Sequence, residues 1–497
     1  MKQALTIYNE TNKKLKAIGY AEYLISWDSQ TEAPAKANHF DEMATLSEMG
    51  YKLATDEKYT GAIETLYKNL NRLSKVMRHE ISEAKRSADQ LKKIPMDEYI
   101  AFGTLTNEFY NVYVKAKNEN NFALALPYYE KIVEYRKKYV KWLETDELKG
   151  YDVMLDAFER GMTAEKYDEF FGLLKQKLVP LIKKINEAPE IVNQDFAKKK
   201  YSKKGQQRFQ EHLRKLFLFN KNYTVIKESE HPFTTNDTIT DVRITNHFYE
   251  DNFASSIYSA IHEMGHGLYE LQVAPAIDKT MSGGGASMAM HESQSRFMEN
   301  LIGRHEKFWN ANFAKLKNIF KSNLKDVTAD DMYKYVNRVE CSLIRTEADE
   351  LTYSLHVLVR YEMEKALLSG EIQAKDIPTK WNQLYKEYLG VDVPSDKEGC
   401  LQDVHWAYGE FGYFPTYSLG SAYSSQIYHA MQKDVNVDEC IEKGNLRPIA
   451  KWLKEHIHKY GSSMHSAQIL KLATGEDFNP NYYVDYLVEK YSKLYNV

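Results

Sequence analysis

Apolar positions recur at three- and four-residue spacing over most of the chain, which is the signature of amphipathic helices. Leu5, Tyr8, Leu15, Ile18 and Tyr20 open the first such run, residues 21–27 extend it, and Pro34 marks a break after Trp27-Asp28. Further helices are predicted over 43–53, 59–73, 76–91, 97–117, 126–142 with Pro127 in the first turn, and 164–188. Helical spacing returns after residue 292. There 342–353 reads as an apolar helix, and 423–431, 449–460, 463–472 and 482–495 close the chain. The texture changes once, between residues 222 and 248, where Thr, Val, Ile and Asn dominate. Val242, Ile244, Asn246 and Phe248 alternate with Asp241, Arg243, Thr245 and His247, which makes 241–248 the best strand candidate. The expected fold class is therefore mostly α with a small β-sheet. Neither an internal repeat nor a low-complexity linker divides the chain, so residues 1–497 read as one large helical domain.

Composition narrows the class without changing it. Hydrophobic residues are 43% and charged residues 27%, as in soluble globular proteins. A net charge of -4 gives no footprint for nucleic acid. No apolar run approaches the ~18 residues of a membrane span, and the first residues lack the apolar core of a secretory signal. Cys341, Cys400 and Cys440 are odd in number and far apart, which suits free thiols in a reducing cytoplasm. The lysines at 198–200 and 203–204 read as a solvated helix end and turn at Gly205, not a partner surface.

Candidate chemistry begins at His262-Glu263-x-x-His266. Helical positions four apart lie one turn above each other, so both imidazoles point the same way and can hold one zinc ion. Glu263 stands beside them, within reach of a water on the same metal. Ile261, Met264 and Leu268 supply a packing face, and Gly265 and Gly267 let another backbone come close. Two histidines at this spacing also arise by chance, so a third donor decides. His291-Glu292 opens a second helical stretch, and Gly283-Gly284-Gly285 lets the chain turn back before it. A set of two histidines and Glu292 leaves one coordination position open, as a catalytic rather than a structural zinc requires. The expectation is one Zn2+ per chain and metal-assisted hydrolysis.

Two further stretches are rich in polar groups. Arg345 and Asp349 stand one turn apart in the predicted 342–353 helix. They read either as an intrahelical pair worth about a few tenths of a kcal/mol or as an arginine directed into a cleft. Gln402, Asp403, His405 and Trp406, followed by aromatic residues up to Tyr417, crowd a turn that suits the wall of a site.

The pieces occur as ordered blocks: His231-Pro232-Phe233, Asp241-x-Arg243-x-Thr245, His262-Glu263-x-x-His266, His291-Glu292-Ser293-Gln294, Ile344-Arg345-x-x-Ala348-Asp349 and Gly399-x-x-Gln402-Asp403-x-His405-Trp406. Trp27-Asp28 with Thr31 and Pro34 precedes them. Together they resemble the thermostable carboxypeptidases of the carboxypeptidase Taq family, HExxH-type zinc metallopeptidases, over residues 27–420. Ala33 and Met298 replace the family's usual Met and Trp at what look like packing positions, and the glycine-rich loop before His291 also differs.

The resemblance implies a single, mostly helical domain whose two helical lobes flank a deep central groove, with a small sheet near the metal. It implies a homodimer. The implied activity is release of single amino acids from peptides with a free C-terminal carboxylate, by attack of a metal-bound water and with broad side-chain preference. Zinc is the implied metal, and Co2+ substitutes.

Residue by residue, His262, His266 and Glu292 become metal ligands and Glu263 the general base. His405 and Tyr417 are candidate donors to the developing oxyanion. Arg345 is the first candidate for the substrate carboxylate, because a planar guanidinium matches two oxygens, and Arg243 is the second. Asp241, Thr245 and Gln402 join the substrate-binding set, and the strand beside them can pair with an extended peptide, form a short structural hairpin, or do both. His291 is either a support for a ligand or structural. Two rivals share the motif: a helical oligopeptidase or dipeptidyl carboxypeptidase, and a peptide-binding protein with a vestigial site. The intact Glu263 argues against the second.

Overall fold

A computed structural model describes residues 1–33 and 39–497 of the chain. It is mostly α, with one three-stranded sheet among the described residues. The expected break at Pro34 lies outside those residues. The first helix, Lys2–Thr31, runs past Trp27-Asp28. Next come Phe40–Thr55, Glu57–Tyr67, Lys75–Lys93, Met96–Asn118 and Phe122–Leu143. Caps fix some of these starts. Asp56 accepts from the N–H groups of Lys58 and Tyr59, and Ser74 from that of Met77. The Phe122–Leu143 helix starts earlier than expected, so Pro127 lies inside it. Burial of Phe122 and Ala125 offsets the one hydrogen bond that the proline forgoes. Ala4, Tyr8, Ile63, Leu66 and Ile81 form a small apolar cluster, separate from the large core that joins the rest.

Residues 222–248 fold as β1 (Thr224–Glu228), β2 (Thr234–Thr238) and β3 (Asp241–Asn246). Val242, Ile244 and Asn246 are buried, as their alternation predicts, but the strand ends before Phe248 and Thr245 of the opposite face is buried as well. β3 is the central strand, parallel to β1 and antiparallel to β2. The expected pairing of this strand with a peptide is thereby corrected: both its edges are taken, and the outer edges of the sheet belong to β1 and β2.

Two more expectations change. Residues 342–353 form no helix. Only Arg345–Glu347 makes a short 3-10 turn, and the next helix is Tyr353–Ser369. Asp349 accounts for the break. Its carboxylate accepts from the N–H groups of Glu340, Leu351 and Thr352 and from the Thr352 hydroxyl, which holds the backbone out of the helix. Tyr417, expected in a turn, is instead in the first turn of Pro415–Met431, which Pro415 opens. Of the two replaced residues expected to pack, Met298 is buried and Ala33 is exposed, so only Met298 packs.

The site is framed by Phe253–Leu271, capped by Asn252, and Met288–Arg296, capped by Ser287 and continued by the π-helical stretch Phe297–Gly303. These helices touch at Gly265. A Cβ there would lie 2.7 Å from both the Gln294 carbonyl oxygen and the Ser295 Cα. The Pro415–Met431 helix crosses at Gly420, where a Cβ would lie 2.6 Å from that of Glu292.

Candidate active site

His262 and His266 stand one turn apart with their rings nearly perpendicular, centroids 4.8 Å apart. Their Nε2 atoms lie 3.7 and 3.5 Å from Glu292 Oε2. The three donor atoms fall within 4.8 Å of one another. This is a donor set of the kind that holds a divalent ion between neutral imidazoles and one carboxylate.

The far side of each donor is anchored. His262 Nδ1 lies 2.8 Å from Glu299 Oε2. His266 Nδ1 lies 2.6 Å from His291 Nδ1, and His291 Nε2 lies 2.7 Å from Glu270 Oε1. Glu270 in turn accepts from the Gly285 N–H and from Asn236 Nδ2 on β2, both at 2.9 Å. One proton assignment satisfies both chains: each Nδ1 of the pair His262 and His266 donates, and each Nε2 keeps its lone pair for the metal. Arg296 Nε donates to Glu292 Oε1 at 2.7 Å, which leaves Oε2 turned to the imidazoles.

The electrostatics match at most of these groups. The exception is His262, where burial opposes the charge but Glu292 and Glu299 raise the imidazole above its usual range. Burial opposes the charge on Glu292, but Arg296 and the two histidines outweigh it and hold the carboxyl well below its usual range. Burial pushes His266 down to about 3, so its imidazole is neutral. Glu299 falls to about 2 despite its burial, because Arg296, His262 and Arg304 surround it. Burial raises the Glu263 carboxyl above its usual range.

His262, Glu263, Glu292, Arg345 and Tyr417 share one cavity of about 420 Å3. Thr234 on β2 fixes Glu263, with its hydroxyl 2.5 Å from Oε2. Arg345 does not pair with Asp349, as the predicted helix would have it. Its Nε and Nη2 donate to Asp403 Oδ1 at 3.2 and 2.8 Å. Arg360 holds the other oxygen of Asp403, with Nε at 2.7 Å. The faces of Phe414 and Tyr417 flank the Arg345 guanidinium, 5.4 and 5.0 Å from their centroids. His405 stands behind Tyr417, its Nε2 3.3 Å from the phenol oxygen, and burial lowers it to about 4.

The chain matches the family model of carboxypeptidase Taq (M32) metallopeptidases over residues 7–491. It belongs to that family. Carboxypeptidase 1 of Bacillus subtilis is 36% identical over 97% of each chain, and thermostable carboxypeptidase 1 of Pyrococcus furiosus 35% over 99% of this chain and 98% of that one. An M32 carboxypeptidase structure from Deinococcus radiodurans superposes with a TM-score of 0.95 at 31% identity, covering 99% of this chain and all of the other. The protein is thus a metallocarboxypeptidase.

Other predicted residues of this M32 chain lie off the metal cavity. Arg243 is held by Asp241 at 2.8 Å through two bonds and stacks on Tyr23 and Trp27 of the first helix. Thr245 is fully buried, 2.6 Å from the Ser229 hydroxyl. Gln402 braces the site from behind. Its oxygen accepts from the Arg345 N–H and Arg360, and its amide donates to the carbonyls of Leu343 and Glu398. Sequence reading missed Thr234, Glu299, Arg338 and Arg360. Arg360 carried a signal: it follows the apolar run Val357-Leu358-Val359, and a charge buried in such a helix needs a partner. Arg338 lines the cavity with a buried Nε that has no protein acceptor.

Proposed function

We propose that this M32 chain is a zinc carboxypeptidase that releases single amino acids, with broad side-chain preference, from peptides with a free C-terminal carboxylate. One observation carries the reading. Arg345 and Arg360 share a single carboxylate, Asp403, so the buried cluster is one negative charge short. It meets the cavity of the metal donors through Arg345. A substrate carboxylate supplies the missing charge on the Arg345 edge that Asp403 leaves free. An oligopeptidase would share the metal donors but has no use for that charge.

His262, His266 and Glu292 would hold a divalent ion, which would supply Lewis acidity to the scissile carbonyl and to a water nucleophile. Glu263 takes the water's proton and returns it to the leaving nitrogen, while Thr234 keeps the carboxylate in place. Tyr417, with His405 at its hydroxyl, donates to the oxygen that gains charge. Glu299 and the His291–Glu270 pair hold the imidazoles in one tautomer. Cobalt as a substitute metal, the homodimer and the cytoplasmic location rest on the family resemblance and the free cysteines. Light scattering tests the dimer.

The test is four rates: the unaltered protein and Arg345→Met, each with a peptide acid and its C-terminal amide, products read by mass. Amidation removes the intended partner of a partly buried guanidinium, a loss of about 2–5 kcal/mol. That is roughly 30- to several-thousand-fold in kcat/KM. Arg345→Met is expected to lose as much on the acid and almost nothing further on the amide, since both changes delete one interaction. Equal cleavage of acid and amide by the unaltered protein would exclude a carboxypeptidase. Full acid preference in Arg345→Met would move the carboxylate to another arginine, Arg338 first.

A further inference from the structure

Met288, Glu292 and Arg296 stand four residues apart on the Met288–Arg296 helix and form one stripe, each step about 6 Å along the axis. Glu292 and Arg296 line the metal cavity. Met288 and His291 line a second cavity of about 650 Å3. The metal donors therefore stand between the two. His291 belongs to the dividing wall, since one ring nitrogen reaches His266 and the other Glu270. Tyr8, Leu15, Ile63 and Leu91 of the N-terminal helices form the opposite wall.

Several polar groups of the second cavity already have partners, although Glu80 Oε2 is buried without one. Arg160 pairs with Glu83 at 2.7 Å and with Asp156 at 2.9 Å. Tyr8 donates to Glu80 at 2.8 Å, and Ser466 bonds Ser287 at 2.5 Å. His79 packs edge-on against His465. The surface left over is largely apolar. Met281 and Met288, on either side of the glycine loop, are 42% and 43% exposed. Unbranched thioethers in such a place adapt to ligands of varied shape.

We propose that the second cavity is the subsite for the part of the peptide that precedes the scissile bond, and that it takes a large apolar side chain. The inference rests on the carboxypeptidase reading above. With the terminal carboxylate at Arg345, the rest of the peptide leaves past Glu292 toward Met288. An extended chain advances about 3.3 Å per residue, so two residues span one step of the stripe. The side chains one and two positions before the scissile bond are the ones that reach the second cavity.

The experiment uses zinc-loaded protein and N-acylated peptides of one length ending in leucine. Phe, Met, Gly, Asp or Lys is placed at each of the two positions before the cleaved bond, and kcat and KM for leucine release are measured. Phe and Met are expected to exceed Gly by about tenfold or more in kcat/KM, mainly through KM. In Met288→Glu and Met281→Glu, both at exposed positions that tolerate a charge, the Phe-to-Gly ratio is expected to fall toward one with bound metal unchanged. A ratio near one in the unaltered protein, a preference for Asp or Lys, or a ratio that neither substitution moves overturns the subsite. Release of dipeptides or internal fragments with the ratio intact overturns the single-residue reading and leaves the subsite standing.

Discussion

Glu263 has one carboxylate oxygen held by the Thr234 hydroxyl and lines the cavity beside the metal donors. Glu263→Gln keeps the size and the contact with Thr234 but removes the proposed base. The expected result is a fall in kcat of about 10²–10⁴ with metal content unchanged, measured on the same preparation. Loss of the metal on this change would make Glu263 a ligand instead. Residues of this kind are legible because the motif encodes geometry: spacing of four on a helix fixes which side chains share a face. Thr234 and Arg360 carry no such code. Thr234 reaches Glu263 only because β2 lies against the Phe253–Leu271 helix, and Arg360 reaches Asp403 across 43 residues of sequence. Glu299 was closer to legible, since it follows Arg296 by three on a helical run. The π-helical stretch from Phe297 obscures its phase.

At the scale of elements, periodicity located most helices, and it failed where side chains compete with the backbone. Residues 342–353 have helical spacing, yet Asp349 takes three backbone N–H groups and Asp403 takes Arg345, so the segment stays open and lines the cavity. The start of the Met288–Arg296 helix packs against a buried carboxyl, Glu159, whose side chain meets Ser287 and the Ala289 N–H. Glu159 is 1% exposed, and burial pushes its carboxyl up to about 7 against the pull of Ser287, Ser466 and the Ala289 N–H. Below the unfolded value of about 4.3 both states hold the proton. Between that value and about 7 only the folded state holds it, so stability falls as pH rises, and the loss is complete above about 7. Relative to Glu159→Gln, the unaltered protein is expected to lose about 3 kcal/mol between pH 4 and pH 8. Denaturant melts of both proteins at several pH values measure it, and parallel pH curves would show that Glu159 ionises freely in the fold.

Across the whole molecule, the proposed metal donors tie together segments that the sequence shows only as separate blocks. His262 and His266 come from one helix and Glu292 from another, while Glu270, behind His291, holds the glycine loop through Gly285 and the sheet through Asn236. Order along the chain announced the blocks, but the closure that joins them depends on Gly265 and Gly420, whose missing Cβ atoms let three helices meet. A cation bound there is bound by the folded chain alone, so its removal must lower stability as well as activity. At a thousandfold excess over Kd the stabilisation is about 4 kcal/mol. A strong chelator is therefore expected to abolish turnover and lower the melting temperature by several degrees, and zinc or cobalt to restore both. Glu263→Gln separates the two effects: it should melt with the same metal-dependent shift while remaining inactive. Glu292→Gln should show the opposite pattern, a smaller shift, because the charge that opposes the cation is gone while Arg296 keeps its positive charge beside the site. Chelated protein that keeps both its activity and its melting temperature would remove the metal from this site altogether. A restored melting temperature without restored activity would keep the metal and reject zinc or cobalt as the working ion.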